Sequence, residues 1–139
     1  MSLKVNNLDH LVLTVADVNR TLEFYERVVG MRPVVFGDNR HALEFGDQKI
    51  NLHEADSTFT PKPLTPTAGS ADLCFLIDGT AREAALHLQA EGVAIEQGPV
   101  ERAGAGGKPL RSVYFRDPDG NLVEVAEVLS ETSSSISAP

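Results

Sequence analysis

The chain has 139 residues, 20 acidic and 12 basic, with a formal net charge of −8 at pH 7. Its length suits one domain with a substantial core, and 42% hydrophobic residues exclude wholesale disorder. The negative charge argues against nucleic acid as a partner, the apolar runs fall short of the ~20 residues of a membrane helix, and one cysteine cannot form an internal disulfide. We therefore expect a cytoplasmic protein whose partner is a small molecule, with neither nucleic acid nor a membrane.

The first part of the chain predicts a strand, a helix and three more strands. The first strand is predicted over residues 8–15, and Asp17 is placed to cap a helix over residues 18–29. Gly30 follows as a natural helix stop. Short strands separated by glycine-containing turns are then predicted over residues 31–36, 40–45 and 49–53.

The same order of elements returns after a proline-rich linker, residues 57–70. A strand is predicted over residues 72–77, and Thr80 with Glu83 forms a capping box that opens a helix to about residue 91. The remaining predicted segments are strands over 93–102, 110–116 and 122–128, with a glycine-rich mobile loop over 103–109.

The repeated order predicts an α+β fold of two βαβββ modules. We expect them to form a curved eight-strand sheet around a central cavity, with the helices outside. The predicted organisation is one domain, residues 1–129, with module one at 6–56 and module two at 71–129. The serine-rich residues 130–139 are expected to be a disordered tail.

Strand parity assigns the polar side chains to one face of each module, because successive residues of a strand point to opposite sides. The opposite face is apolar and should pack on the helices. Aligning the two halves places four polar residues at equivalent positions, namely His10, Asn51, Asp72 and Glu124. If the modules share a pseudo-twofold axis, these four converge. Their oxygen-rich set would suit Mn, Fe, Ni, Mg or Zn better than Cu.

Each of these residues also has a simpler interpretation. His10 could line a cavity or a dimer interface, Glu124 could be an exposed strand residue, and Asp72 could cap a turn. Asn51 and His53 are more typical of cavity lining than of metal ligands.

Other polar residues of module two have candidate roles as well. Tyr114 is a candidate acid or hydrogen-bond donor. Arg116 is expected to line the substrate site, but it could instead only pair with Asp117 or Asp119. Lys108 and Arg111 lie beside the glycine-rich loop and are expected to steer an anionic substrate. Cys74 shares the parity of Asp72 and could border the cavity, but a buried structural thiol is the simpler prediction.

Three segments resemble the vicinal oxygen chelate superfamily, which includes glyoxalase I, bleomycin- and fosfomycin-resistance proteins and extradiol dioxygenases. They are residues 8–15 (LDHLVLTV), 24–31 (FYERVVGM) and 114–124 (YFRDPDGNLVE). Residues 45–54, 69–74 and 95–99 look most like the glyoxalase domain-containing protein 5 group. The resemblance covers about residues 6–128 and implies the paired βαβββ fold.

The resemblance implies that His10 and Glu124 are metal ligands, because the superfamily's ligands come from the first and last strands of each module. Asp72 stands where glyoxalase I usually carries histidine, and Asn51 stands where it carries glutamate or glutamine. The implied set is therefore His10, Asp72 and Glu124, with Asn51 or His53 as the fourth ligand. These departures weigh most against extradiol cleavage, which uses two histidines and one carboxylate.

Two functions of different class follow from the resemblance. The first is a metal-dependent lyase or isomerase of the glyoxalase type, in which a divalent metal stabilises an enediolate and Glu124 moves the proton. Glutathione adducts of 2-oxoaldehydes would be the nearest substrates. The second is a metal-free, drug-binding resistance protein of the bleomycin-resistance type, for which the acidic charge suits a cationic drug. Both functions predict a homodimer.

Overall fold

The computed structural model describes residues 2–129, and the tail predicted over residues 130–139 lies outside them. The chain divides between Ser70 and Ala71 into two compact units, called module one and module two. Within the described residues, neither helix is long and apolar enough to cross a lipid bilayer.

Module one is a four-stranded sheet with one helix on one of its faces. The strands follow the order β1-β4-β3-β2, with β1 parallel to β4 and the other pairs antiparallel. The helix packs on β3 and β4. The elements are β1 (His10–Val15), α1 (Val18–Phe24), a π-helical turn (Tyr25–Val29), β2 (Arg32–Phe36), β3 (Arg40–Phe45) and β4 (Gln48–Glu54).

The helix of module one begins and ends where its sequence predicts. Asp17 Oδ1 accepts the backbone N–H of Arg20 at 3.0 Å, and Gly30 ends the helix with φ = 77°, a conformation that suits glycine. The last turn widens into the π-helical segment, in which Tyr25 and Val28 are buried. Sequence periodicity did not separate this turn from the α-helix, since both present nearly the same apolar face to the core.

Module two repeats this plan. Its strands follow the order β5-β8-β7-β6, with β5 parallel to β8, and its helix packs on β6, β7 and β8. The predicted capping box between Thr80 and Glu83 is present. The elements are β5 (Asp72–Ile77), α2 (Ala81–Ala90), β6 (Gln97–Ala103), a 3₁₀ turn (Ala105–Gly107), β7 (Pro109–Arg116) and β8 (Leu122–Val128).

The sixth strand begins later than predicted, at Gln97 instead of residue 93. Its pairing with β7 shifts register between Gln97 and Val100. Gly98 lies in this irregular stretch with φ = 115°, and a side chain there would collide with the backbone carbonyl of Ser112. Glycine therefore permits the close approach of the two strands at the point where β6 bends.

The predicted fold class is confirmed. Both modules have the βαβββ order, and the eight strands form two four-stranded sheets, neither of which is closed. Side chains that line the core of each module include Val15, Leu43, Ile50, Val113 and Val123, all at most 1% exposed. The central cavity and the grouping of both modules into one domain stay predictions.

Candidate functional site

The strand registers place the four predicted ligand residues at matching positions of the two modules. In module one, His10 pairs with Lys49, and Asn51 lies two residues further along β4. In module two, Asp72 pairs with Leu122, and Glu124 lies two residues further along β8. Because the first and last strands are parallel neighbours in both modules, each pair stands on the same face at the same diagonal spacing.

His10 is exposed, and its ring is held by the preceding residue. Its Nδ1 lies 2.9 Å from Asp9 Oδ2. When Nδ1 carries the proton in such a pair, Nε2 keeps its lone pair, which is the form of imidazole that binds metals. The neighbouring carboxylate therefore orients His10 in the way that a metal-binding histidine needs.

The other polar residues of this face in module one are buried. Asn51 is 4% exposed, and its Oδ1 has no hydrogen-bond partner among residues 2–129. His53 is 8% exposed, and its Nε2 lies 3.4 Å from Arg40 Nη2. Burial, followed by the positive charge of Arg40, lowers the pKa of His53. The imidazole is therefore neutral at pH 7.

The segment after β4 covers this polar face. The Phe59 ring lies 5.0 Å from the His53 ring, and a void of only ≈ 10 Å³ separates the segment from the strands. Residues from the segment that line this void include Phe59, Lys62, Pro63 and Pro66. The part of the chain predicted as a linker is thus also a lid over Thr14 and His53.

In module two, Glu124 lies between Cys74 and Tyr114. Cys74 is its direct partner on β5, and Tyr114 is its direct partner on β7. The Cys74 thiol donates a hydrogen bond to Glu124. Burial of the sulfur, the charge and hydrogen bond of Glu124 and the charge of Asp72 together raise the pKa of Cys74 to about 11. The thiol is therefore protonated, and it holds one side of the Glu124 carboxylate.

The prediction that Cys74 is a buried thiol is wrong. Cys74 is exposed, as are Asp72 and Leu76 on the same face of β5. Counting along β5 places Cys74 on the face of Asp72, but the count does not show that this face is left exposed.

Tyr114 has a partner that the sequence analysis did not identify. Arg102 Nε donates to the Tyr114 hydroxyl at 3.0 Å, and the guanidinium lies 5.5 Å from the centre of the Tyr114 ring. Arg102 pairs with Leu110 on β7, so it has the parity of Tyr114. Strand parity could have revealed that Arg102 and Tyr114 share a face, but only if the register of the irregular β6 had been known.

The three basic residues predicted to line a substrate site each have a partner within module two. Arg116 donates two hydrogen bonds of 2.9 Å to Glu96, so its partner is Glu96 and neither Asp117 nor Asp119. This pairing lowers the pKa of Glu96 and raises that of Arg116. Lys108 Nζ donates to the Ala105 carbonyl at 2.8 Å, and Arg111 lies 3.8 Å from Glu101.

The turn between β7 and β8 has a structural role. Asp117 and Asn121 are 6% and 0% exposed, and Asn121 Nδ2 donates to Asp117 Oδ2 at 2.8 Å. Asn121 Oδ1 accepts the backbone N–H of Ala71 at 2.8 Å, and Leu122 N–H donates to the Ala71 carbonyl. The turn therefore fixes the start of β5 against β8, next to Asp72.

Within residues 2–129, no group of three or more His, Cys, Asp or Glu side chains forms a preassembled metal centre. The residue types still fit a divalent ion. They are the oriented imidazole of His10, the carboxylates of Asp72 and Glu124, and the unpartnered amide oxygen of Asn51.

The family follows from the match of residues 7–125 to the model of the Glyoxalase/Bleomycin resistance protein/Dioxygenase superfamily. The chain belongs to this superfamily. This membership agrees with the paired βαβββ modules and confirms the family-level resemblance.

Relatives within the superfamily match nearly the whole described chain. The glyoxalase domain-containing protein RDO1 of Mycosarcoma maydis is 52% identical, over 89% of this chain and 69% of the relative. Virulence protein STM3117 of Salmonella typhimurium is 49% identical, over 88% and 85%. The structure of an integron cassette protein from the mobile metagenome of V. cholerae superposes with a TM-score of 0.88 at 54% identity, covering 91% of this chain and 98% of that one.

Proposed function

We propose that this chain is a metal-dependent lyase or isomerase of the glyoxalase type, within the glyoxalase domain-containing protein 5 group. His10, Asp72 and Glu124 hold a divalent ion, with Asn51 or His53 as the fourth ligand. The observation that carries the proposal is the matched strand register, which gives the pairs His10/Asn51 and Asp72/Glu124 the same diagonal spacing in the two modules.

The charges of module two support a cation at this position. Asp72 and Glu124 both raise the pKa of the Cys74 thiol, so their negative charges act on the same point of the polar face. Two carboxylates at short range repel each other unless a positive charge offsets them. When bound, a divalent ion acts as a Lewis acid toward the charge that develops on substrate oxygens.

Glu124 accepts the proton from the substrate carbon in this proposal. One side of its carboxylate takes the hydrogen bond of the Cys74 thiol, which leaves the other lone pairs for the substrate proton. Tyr114 supplies a hydrogen bond to a substrate oxygen. Because Arg102 Nε donates to the phenol oxygen, the phenol O–H is left to donate elsewhere.

The partner in this proposal is a small molecule with two neighbouring oxygens, and the protein acts in the cytoplasm as a homodimer. Lys108, Arg111 and Arg116 line the approach of the substrate. Glu101 and Glu96 offset the charges of Arg111 and Arg116, so the charge of Lys108 is the one that would favour an anionic substrate over a cationic one.

A metal-free, drug-binding protein of the bleomycin-resistance type is the second candidate. It is favoured by the open cavity of module one, ≈ 490 Å³, which is large enough for a small organic molecule.

One experiment separates the two functions. The purified protein is loaded in turn with Ni, Mn, Zn and Fe, its metal content is measured, and turnover of methylglyoxal with glutathione is followed. The enzyme proposal expects one bound ion per chain and turnover, both lost in His10→Ala and both kept in the control His87→Ala, which changes an exposed helix residue. Protein that stays metal-free and folded, and that binds a cationic drug, would instead establish the second candidate.

A further inference from the structure

Arg40 of module one carries a positive charge without a carboxylate to balance it. Its guanidinium carbon lies 5.2 Å from the centre of the Phe36 ring and 4.9 Å from the centre of the Phe59 ring. Its Nη2 lies 3.4 Å from His53 Nε2, and its Nε is buried without a hydrogen-bond partner. Among residues 2–129, no Asp or Glu forms an ion pair with it.

This arrangement leaves hydrogen-bonding capacity unused. A guanidinium has five N–H donors, and aromatic rings satisfy its charge only in part. The His53 ring meets only one of these donors, through the 3.4 Å approach of its Nε2 to Arg40 Nη2. The site therefore presents one partly buried cation with free donors.

The Arg40 side chain lines the cavity of module one. This cavity has a volume of ≈ 490 Å³, and Arg40, His53 and Phe59 line it together with the polar residues Asn39 and Ser57. Its volume lies within the range of small-molecule sites. An aromatic ring beside the guanidinium offers apolar contact to the body of a ligand whose charged end binds Arg40.

We propose that Arg40 binds the carboxylate of a small organic ligand in this cavity, with Phe59 packed against the ligand's apolar part. A guanidinium matches a carboxylate through two parallel N–H···O bonds. The inference deepens the proposed function by naming the chemical class of the ligand. The inference rests on the proposed function only in identifying this ligand as the substrate.

The acidic residues of the same cavity favour a carboxylate over a phosphate. Asp38, Glu54 and Asp56 also line it, and all three are exposed, whereas Arg40 is partly buried. Salt screens exposed charges more strongly than partly buried ones, so a monoanion held at Arg40 gains more than it loses. The single guanidinium offsets one negative charge, so the second charge of a phosphate dianion would stay unpaired beside the three carboxylates.

Calorimetry with three ligands that share one ring tests the proposal. Benzoate, phenyl phosphate and benzamide present a carboxylate, a phosphate and a neutral amide on the same ring. We expect benzoate to bind most tightly and benzamide about tenfold more weakly, because the charge-assisted hydrogen bonds are lost. Arg40→Gln should weaken benzoate binding about tenfold. Arg40→Lys keeps the charge but loses the paired N–H donors of the guanidinium, so its affinity for benzoate should lie between those of the unchanged protein and Arg40→Gln.

The matched control is Arg82→Gln, which removes the same charge from an exposed position of α2. It should bind benzoate as the unchanged protein does. Bound benzoate should also shift the NMR signals of the Phe59 ring, which lines the cavity, in the unchanged protein. This signal reports on the cavity even if the variant at Arg40 is less stable.

Three outcomes would overturn the inference: no benzoate binding up to its solubility limit, equal losses in Arg40→Gln and Arg82→Gln, or tighter binding of phenyl phosphate than of benzoate. The test measures binding without turnover or metal. Its failure is therefore distinguishable from failure of the glyoxalase-type proposal, which is judged by metal content and catalysis.

Discussion

The two modules share one scaffold but differ on the polar face of the sheet. In module one, Asn51 and His53 are both buried, and Phe59 of the segment after β4 lies against the His53 ring. In module two, Glu124 stands at the position equivalent to Asn51, beside an exposed thiol at Cys74. Strand register therefore places residues at equivalent positions of the two modules. Whether such a position suits a neutral or a charged group depends on whether another segment of the chain covers it.

The two modules also differ in the charges that their polar faces carry. Module two has the negative charges that suit proton transfer and cation binding, centred on Glu124. Module one has, beside a cavity, a cation at Arg40 that forms no ion pair among residues 2–129. The two copies of the repeat therefore differ in the charges on their polar faces.

The largest effect is expected when the charge of Glu124 in module two is removed. Glu124→Gln keeps the shape but removes a charge and a proton acceptor, so turnover of methylglyoxal with glutathione should fall about 100-fold or more. Affinity for the divalent ion should fall with it. The control Glu26→Gln removes the same charge from an exposed turn and should leave both unchanged. Unaltered turnover and metal affinity in Glu124→Gln would contradict the catalytic role.

A second prediction compares the corresponding turns of the two modules. Asn121→Ala removes the hydrogen-bond partner of the Ala71 N–H and one of the hydrogen bonds that the buried Asp117 carboxylate accepts, so it should lower the free energy of unfolding by about 3 kcal/mol. Asp47→Ala, in the exposed turn between β3 and β4, should change it by less than about 0.5 kcal/mol. Urea unfolding measures both. Equal effects would show that the turn of module two does not anchor β5.

A third prediction concerns the reactivity of the exposed thiol. The pKa of Cys74, about 11, lies two units above the ordinary 9.0, so its thiolate fraction at pH 8 is about 100-fold lower than that of an ordinary thiol. Alkylation by iodoacetamide at pH 8 should be correspondingly slow in spite of exposure. Glu124→Gln should accelerate it, while Glu26→Gln should not. The chain has one cysteine, so mass spectrometry follows the reaction without ambiguity.

The smallest expected effect is a pH dependence that belongs to module one. The folded-state pKa of His53 lies below 6.5, so the unfolded chain binds more protons between these two values. The stabilising contribution is complete above pH 6.5 and is lost as the pH falls through the folded-state pKa. His53→Gln should therefore flatten the decline of Tm below pH 6.5, and the exposed-site control His87→Gln should leave the decline as it is.

Much of the site could be predicted because its placement depends on parity. The face shared by His10, Asn51 and His53 follows from counting along two strands, and the register of β1 with β4 agrees with that count. The same counting places Glu124 beside Cys74 on neighbouring strands. Arg102 was missed because the irregular start of β6 shifts the count, and Phe59 was missed because it follows the last strand of its module.

Local sequence patterns were enough to predict the order of elements, the caps at Asp17 and Thr80, and the faces of strand residues outside the irregular β6. These depend on local backbone geometry and on interactions between residues close in the chain. Only the tertiary structure decided which polar groups are buried, that Arg116 pairs with Glu96, and that Arg40 meets two aromatic rings. Those outcomes depend on which distant segments approach one another and exclude water, and no local pattern records that approach.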